Sequence, residues 1–336
     1  MIDPNLTAHA GSMRTTLFTM GALALAVLAG TLTERGSGLA LGLGFGVLAV
    51  NLAAALVVNP ALRRRLPLLV AHLALLALLA LVALGRLTAL DGRFEMTQGV
   101  PFDGRLIDVR AGALHPRGLE HLSFRHEGFD IDYAPGRKRG ATRNRVAWRA
   151  VDGSEQRAVI GDHHPLVLDG YRFYTSPNKG FAPLLTWRPA QGEAVTGAVH
   201  LPSFPMHELR QSREWLLPDG REVWVMLQID EALIDAKERA AFRLPDRAVL
   251  VVRHGDRRVE LVPGAQMTLD GGTLVYEGLR TWMGYRVAYD PTLPWLLAAA
   301  LLAALSLGWH YLLKFAFAGT SRRAVDEAPK IGVLDA

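Results

Sequence analysis

The chain has 336 residues, of which 50% are hydrophobic and 21% are charged, with a formal net charge of +5 and no cysteine. The absence of cysteine excludes disulfide bonds and thiol redox chemistry in this chain. The positive excess lies largely in arginines that flank apolar blocks, so it indicates no nucleic-acid partner.

Apolar blocks dominate the first quarter of the chain. After a polar N-terminal segment, 1–14, three blocks follow at about residues 15–32, 39–58 and 66–86. Each is close to the roughly 20 residues that cross a bilayer core as a helix. We therefore predict three transmembrane helices here. Val27–Ala29 resembles a small-residue cleavage site, which leaves a cleaved signal peptide as an alternative interpretation of the first one.

A fourth apolar block, 291–315, lies near the C-terminus and precedes a polar tail, 316–336. The polar stretch 87–290 is long enough to fold as a separate domain around its own core. The predicted fold class is an integral membrane protein of the α + β class. It has four transmembrane helices and a mostly antiparallel, β-rich domain between helices 3 and 4.

Several segments of residues 87–290 alternate apolar and polar residues or are rich in aromatic and β-branched ones, which is typical of β-strands. Asp169-Gly170 and Gly271-Gly272 predict tight turns. One helix is predicted at Glu231–Phe242, where small and apolar residues share a face. The predicted strands are Phe129–Tyr133, Arg145–Val151, Tyr171–Ser176, Glu222–Asp230 and Ala248–His254, and the last of these begins a predicted hairpin that runs to Val262.

Basic residues beside the apolar blocks predict the orientation in the membrane. Arg14 precedes the first block, Arg63–Arg65 joins the second and third, and Lys314 and Arg322–Arg323 follow the fourth. Lys and Arg near the ends of spans mark the cytoplasmic side. Both termini are therefore predicted to be cytoplasmic and the β-rich domain external. In a bacterium this means the inner membrane and the periplasm.

The second apolar block carries small and polar residues that predict helix packing. Gly38, Gly42 and Gly46 recur at four-residue spacing, which lets a neighbouring helix approach closely. Asn51 in the same block is predicted to hydrogen-bond to another helix.

Two histidines lie within predicted spans. His72 lies about 9 Å from the cytoplasmic end of the third helix, at about 1.5 Å per residue, and His310 lies at a comparable depth in the fourth. An ionisable side chain in the hydrocarbon points to function, and neutral imidazole is an axial ligand of haem iron. The alternative is structural: an interhelical hydrogen bond for His72, and a place in an interfacial aromatic belt for His310.

The polar domain offers weaker candidates. His163 and His164 are adjacent, so on a strand they would point to opposite faces. His207-Glu208 is not followed by the second histidine of HExxH, which excludes that type of zinc protease. We assign no catalytic residue and no metal site apart from haem iron. Five tryptophans are predicted to be core or sheet-face residues: Trp148, Trp187, Trp215, Trp224 and Trp282.

Three stretches of the polar domain, together with the order of spans, resemble the ResB family, also called CcsB, of System II cytochrome c biogenesis. The first is FDIDYAPG followed by RVAWRAVDG, the second is IGDHHPLVLDGYRFY, and the third is GLRTWMGYRVAYDPTLPW, which leads into the fourth span. The resemblance covers nearly the whole chain and rests on the order of these stretches and spans.

The resemblance implies a role. Family members work with a CcsA/ResC-type polytopic membrane protein to move haem across the membrane and deliver it to apocytochrome c. A histidine in the third span is the family's proposed transmembrane ligand, and His72 in LVAHLALL occupies that position. The implied cofactor is haem b, held transiently and non-covalently, with His310 as a further candidate ligand. The chain by itself is then not expected to be an enzyme. The alternative is a membrane-anchored periplasmic scaffold or chaperone domain without haem binding.

Overall fold

The computed structural model describes residues 12–33 and 38–326. Within these residues the chain forms two compact units. One is helical and contains the chain up to Ala89, the segment Arg110–Pro116, and the chain from Asp290 onwards. The other is β-rich and contains Leu90–Val109 and Arg117–Tyr289.

The helical unit has long helices at the apolar blocks, where transmembrane helices were predicted. They are α1 (Met13–Thr33), α2 (Gly38–Val58), α3 (Leu66–Thr88) and α4 (Leu293–Asp326), with a short 3₁₀ turn at Pro60–Leu62 between α2 and α3. Three helices are long and apolar enough to cross a membrane: α2, α3 and the Leu293–Ala316 part of α4. The described apolar part of α1, Met13–Ala29, is shorter. Helix α4 continues to Asp326, beyond the predicted end of the fourth span at 315.

Residue choice explains why α3 is a helix. It is built mostly of leucine and alanine, which have high helix propensity. Pro67 lies in the first turn, where its missing N–H removes no hydrogen bond. The helix therefore begins directly after the arginines of the connecting loop.

Glycines set the packing of α2 against its neighbours. A Cβ atom on Gly42 would lie 3.0 Å from Leu87 Cγ of α3, and one on Gly38 would lie 3.8 Å from the Arg86 carbonyl oxygen. A Cβ atom on Gly46 would meet nothing within 4 Å. The predicted glycine stripe is thus confirmed as a helix contact at Gly38 and Gly42 but not at Gly46.

The different surroundings of Gly42 and Gly46 allow the packing role to be tested with two matched substitutions. Gly42→Val should weaken the contact between α2 and α3, because two methyl groups must fit where even one Cβ is tight. We expect the apparent melting temperature of the full chain in detergent to fall by roughly 2 °C or more. Gly46→Val adds the same side chain to the same helix in open space and should leave the melting temperature unchanged. Equal losses from both variants would contradict the packing role.

Asn51 joins α1 to α2, as predicted. Its side chain is buried. The Thr16 hydroxyl donates to Asn51 Oδ1 at 2.6 Å, and Asn51 Nδ2 donates to the Ser12 carbonyl oxygen at 3.3 Å. Such bonds hold transmembrane helices together because hydrocarbon offers polar groups no other partner.

The segment Arg110–Pro116 closes the C-terminal end of α3. The last carbonyls of a helix have no partner within it. Here the Leu114 amide donates to the Leu87 carbonyl at 2.7 Å, and the His115 ring donates from Nδ1 to the Thr88 carbonyl at 2.7 Å. A Cβ atom on Gly112 would lie 2.2 Å from the Leu87 oxygen, so only glycine fits this approach.

The β-rich unit is antiparallel throughout its described pairings. Its strands are β1 (Leu90–Thr97), β2 (Asp108–Ala111), β3 (Phe124–Ala134), β4 (Lys138–Arg149), β5 (Glu155–Ile160), β6 (Leu166–Leu168), β7 (Tyr171–Pro189), β8 (Val195–Ala198), β9 (Ser212–Leu216), β10 (Glu222–Ile229), β11 (Ala240–Ala241), β12 (Ala248–His254), β13 (Arg257–Leu261), β14 (Gln266–Leu269) and β15 (Gly272–Tyr289). The largest sheet has the order β2-β1-β15-β7-β6, with β14 also paired to β15 and β8 to β7. Two further sheets have the orders β13-β12-β10-β9 and β11-β3-β4-β5.

Inward-facing side chains of all three sheets form one apolar core. Phe173, Leu185, Val225 and Leu250 are fully buried in it. Each predicted strand overlaps an observed one, because alternation along a strand turns one row of side chains towards the core. The observed β4 and β10 end at Arg149 and Ile229, before the predicted ends at Val151 and Asp230. Trp187 and Trp282 are core residues, as predicted for the tryptophans.

Tight turns join several strand pairs. Asp169 and Gly170 both have positive φ and connect β6 to β7, which is the type I′ geometry that hairpin twist favours. The predicted turn at Gly271-Gly272 is displaced by one residue. Leu269 pairs with Gly272, so Asp270 and Gly271 form the turn and Gly272 begins β15.

The helix predicted at Glu231–Phe242 is wrong. The segment consists of bends and ends in the short strand β11. Its first carboxylate, that of Glu231, accepts the Arg247 amide at 2.9 Å and so ties the start of the segment to a later loop. Leu233 and Ile234 are both buried. Tertiary burial of these neighbouring residues overrides the helical pattern of the alanines.

Candidate functional site

His72 lies in the first half of α3 with its side chain half-buried. Its Nδ1 atom is 2.7 Å from the carbonyl oxygen of Leu68, one turn earlier. A carbonyl oxygen only accepts, so Nδ1 carries the proton and Nε2 keeps its lone pair. Metal-ligating histidines usually donate their other ring N–H in this way. In a neutral ring, His72 therefore presents the Nε2 lone pair as a candidate ligand atom.

The helical segments around His72 carry no acidic side chain. Residues 38–89 and 293–316 contain no aspartate or glutamate, so no acidic side chain of these segments lies beside it. A neutral histidine that donates a lone pair is the form that binds haem iron.

His310 lies in α4 beside a cleft of about 540 Å³. The cleft is lined by Arg65, Leu66, Pro67, His310, Leu313 and Lys314. His72 does not line it. The aromatic ring of Tyr311 meets that of His310 edge to face, with 5.6 Å between ring centroids.

His72 and His310 lie at different levels of the helical unit. Helices α3 and α4 are antiparallel neighbours, since Gly85 near the end of α3 contacts Thr292 just before α4. At about 1.5 Å per residue, His72 precedes Gly85 by about 20 Å and His310 follows Thr292 by about 27 Å. The expected comparable depth is therefore corrected to an offset of roughly 7 Å. Of these two rings, only that of His310 lines the cleft with Arg65 and Lys314.

A polar network in the β-rich unit was missed by sequence reasoning. The His200 ring bonds Glu95 Oε2 through Nδ1 at 2.9 Å and Thr97 Oγ1 through Nε2 at 2.8 Å. It stacks on Trp282 with 5.2 Å between ring centroids. Glu95 also lines a mixed polar cleft of about 560 Å³ over the large sheet. No sequence signal joins these residues, because more than a hundred positions separate β1 from His200.

The Thr97–His200–Glu95 chain is not a hydrolytic site. A hydroxyl nucleophile needs backbone N–H donors for the developing oxyanion. The nearest amides, those of Gln98, Gly99 and Val100, each donate to a carbonyl oxygen at 2.8 to 3.1 Å. The network therefore orients a histidine and connects strands, and we assign it no catalysis.

A second network lies entirely in the core of the β-rich unit. Asn144 Nδ2 donates to His126 Nδ1 at 2.7 Å, and the Gly128 amide donates to the same atom at 3.2 Å. The Tyr285 hydroxyl donates to Asn144 Oδ1 at 2.7 Å. His126 is thus neutral with its proton on Nε2, which has no partner in the described residues. Burial, and secondarily the positive charge of Arg145, lowers the pKa of His126 to about 4.

The depressed pKa predicts acid sensitivity of the β-rich unit. A histidine whose folded pKa lies below its unfolded pKa near 6.5 stabilises the fold fully above pH 6.5, and this contribution is lost as the pH falls towards 4. We expect the free energy of unfolding to fall over this window by on the order of 3 kcal/mol. His126→Gln should flatten the slope, whereas His121→Gln, at an exposed site, should retain it. An unchanged slope in His126→Gln would contradict the assignment.

The remaining histidines of the β-rich unit do not gather into a metal site. Over residues 12–29 and 38–316, no group of three or more His, Cys, Asp or Glu side chains could hold a metal ion. The candidate site is accordingly a single ligand-type histidine in α3.

The chain has the features of a membrane-anchored β-domain protein. In the sequence, membrane-length helices precede and follow the antiparallel β domain, and the helix before this domain carries the candidate ligand His72. Compared with known protein families, residues 61–314 match the ResB-like family. The match runs from the loop before α3 to Lys314 of α4, so the chain belongs to the ResB-like family. No curated protein matches the sequence. Membership implies involvement in cytochrome c biogenesis, in which the family acts as part of a complex.

Proposed function

We propose that the protein is a haem-handling subunit of the System II cytochrome c maturation machinery. It holds haem b as transient, non-covalent cargo and, with a CcsA/ResC-type partner, delivers it across the membrane to apocytochrome c. His72 is the axial ligand through Nε2. The observation that carries the proposal is the 2.7 Å bond from His72 Nδ1–H to the Leu68 carbonyl, which leaves the Nε2 lone pair uncommitted.

The second axial ligand comes from the partner. His310 lines the cleft with Arg65 and Lys314, whereas His72 does not, which favours a ligand from the partner over a pair within this chain. The half-buried side chain of His72 leaves room for a second protein to reach the other face of the haem. His72 binds and orients the cargo, and release follows from ligand exchange without turnover by residues of this chain.

The protein is proposed to lie in the bacterial inner membrane with the β-rich unit in the periplasm and both termini in the cytoplasm. Arg65 before α3 and Lys314 in α4 line the same cleft, so these basic flanks lie at one end of the helical unit. Basic residues concentrated at one end support a cytoplasmic assignment for that end.

The test is to purify the full chain together with its CcsA/ResC-type partner and to record the visible spectrum. We expect a b-type haem spectrum from the complex, and loss of c-type cytochromes in cells that lack the protein. A haem-free complex, with c-type cytochromes still dependent on the protein, would contradict the proposal. It would favour the scaffold function, in which the β-rich unit and its continuous core carry the activity.

A further inference from the structure

The cleft at the start of α3 combines positive charge with apolar walls. Arg65 and Lys314 supply two cations, and His310 supplies an imidazole. Leu66, Pro67 and Leu313 supply the apolar lining. The cleft thus combines basic side chains and an apolar wall that one ligand could contact.

Among the residues that the structure describes, the cations of this cleft have no acidic partner. Residues 38–89 and 293–316 contain no aspartate or glutamate. Within the described part of the chain, no ion pair includes Arg65 or Lys314, and the Lys314 ammonium lies 5.9 Å from the centroid of the Tyr311 ring. Two cations on adjacent helices repel each other unless an anion lies between them.

The position of the cleft decides which anion fits. It lies where α3, a membrane-length helix, begins. The polar headgroups of a bilayer begin where such a helix leaves the hydrocarbon. Basic clefts between helices at this level suit phosphate headgroups, and apolar walls suit the attached acyl chain. A soluble anion would make no use of the apolar lining.

We propose that this cleft binds an anionic phospholipid. The phosphate lies between Arg65 and Lys314 within reach of His310, and an acyl chain lies along Leu66 and Leu313. The lipid neutralises the repulsion between α3 and α4 and holds their ends together. This site is independent of haem binding, and it gives His310 a role other than that of an iron ligand.

The test uses the full chain in a mild, uncharged detergent. Phosphatidylglycerol, phosphatidylcholine and inorganic phosphate are added separately, and bound lipid is counted by native mass spectrometry while the melting temperature is recorded. We expect phosphatidylglycerol alone to bind and to raise the melting temperature. The double variant Arg65→Gln/Lys314→Gln should bind it roughly 30-fold more weakly, at about 1 kcal/mol per basic residue. Arg86→Gln, near the opposite end of α3, should bind it like the unaltered chain.

Each other result would overturn the proposal. An equal effect of inorganic phosphate would mean a soluble-anion site. Equal binding of phosphatidylcholine, or binding of phosphatidylglycerol that the double variant retains, would mean a non-specific lipid effect. Because native mass spectrometry counts lipid on each folded molecule, a general loss of stability in the double variant does not obscure the outcome.

Discussion

The substitution His72→Ala is expected to remove haem from the purified complex, with at least about a tenfold loss of its Soret absorbance. An axial ligand contributes the bond that holds a non-covalent haem in place, and no other histidine lies at this level of α3 or α4. The helix itself should persist, because the one hydrogen bond that the described residues give to the His72 side chain is to its own helix, at the Leu68 carbonyl. Alanine also has the highest helix propensity.

Three comparisons make this result specific. Added imidazole should restore haem to His72→Ala, because it can occupy the space of the missing ring, whereas a purely structural role would not respond to it. His121→Ala, at an exposed site in the β-rich unit, should keep full haem content. His310→Ala should also keep most of the haem, since His310 lines a cleft that His72 does not line. Retention of haem in His72→Ala together with its loss in His310→Ala would reverse the assignment of the ligand.

The substitution Asn144→Ala is expected to lower the free energy of unfolding of the β-rich unit by roughly 3 kcal/mol or more. Asn144 is fully buried and bonds three groups: His126 Nδ1, the Gly128 carbonyl and the Tyr285 hydroxyl. After the change, the Tyr285 hydroxyl loses the only partner described for it inside the core. An unsatisfied buried polar group costs about 1 to 3 kcal/mol, and the cavity adds to this.

Urea unfolding of the full chain, followed by tryptophan fluorescence, measures this effect, because Trp187 and Trp282 are buried in the same unit. Asn178→Ala removes the same amide from an exposed position and should change the free energy of unfolding by less than about 0.5 kcal/mol. Tyr285→Phe should recover part of the loss when combined with Asn144→Ala, because it removes the stranded hydroxyl. Equal stability of Asn144→Ala and the unaltered chain would contradict the network.

Local pattern predicted the elements of this fold well where one physical effect dominates. The runs that became α2, α3 and α4 are apolar over membrane length, and only a helix satisfies the backbone in such a run. The hairpin of β12 and β13 follows from two segments rich in β-branched residues that flank the Gly255-Asp256 turn. Prediction failed at Glu231–Phe242, where the small alanines carry a weak preference and burial of neighbouring residues decides the conformation.

His72 could be proposed as a ligand from sequence, but the ring nitrogen that would bind could not be predicted. An imidazole inside a span is unusual enough to stand out in a single chain. Which ring nitrogen keeps the lone pair depends on the Leu68 contact. His310 and Arg65 line the same cleft because of how α3 and α4 are aligned, and no local sequence pattern encodes this alignment.

The sequence by itself determined that this is a membrane protein with a β domain between its last two helices, that His72 lies within a span, and that the chain resembles a family of cytochrome c biogenesis. These properties follow from hydropathy and short-range pattern, which act along the chain. Only the tertiary structure decided that Asn144 joins His126 to Tyr285, that Glu95 orients His200, and that the basic flanks of α3 and α4 share one cleft. Such contacts join residues far apart in sequence, and they form because burial leaves each polar group only the partners that the packed elements bring to it.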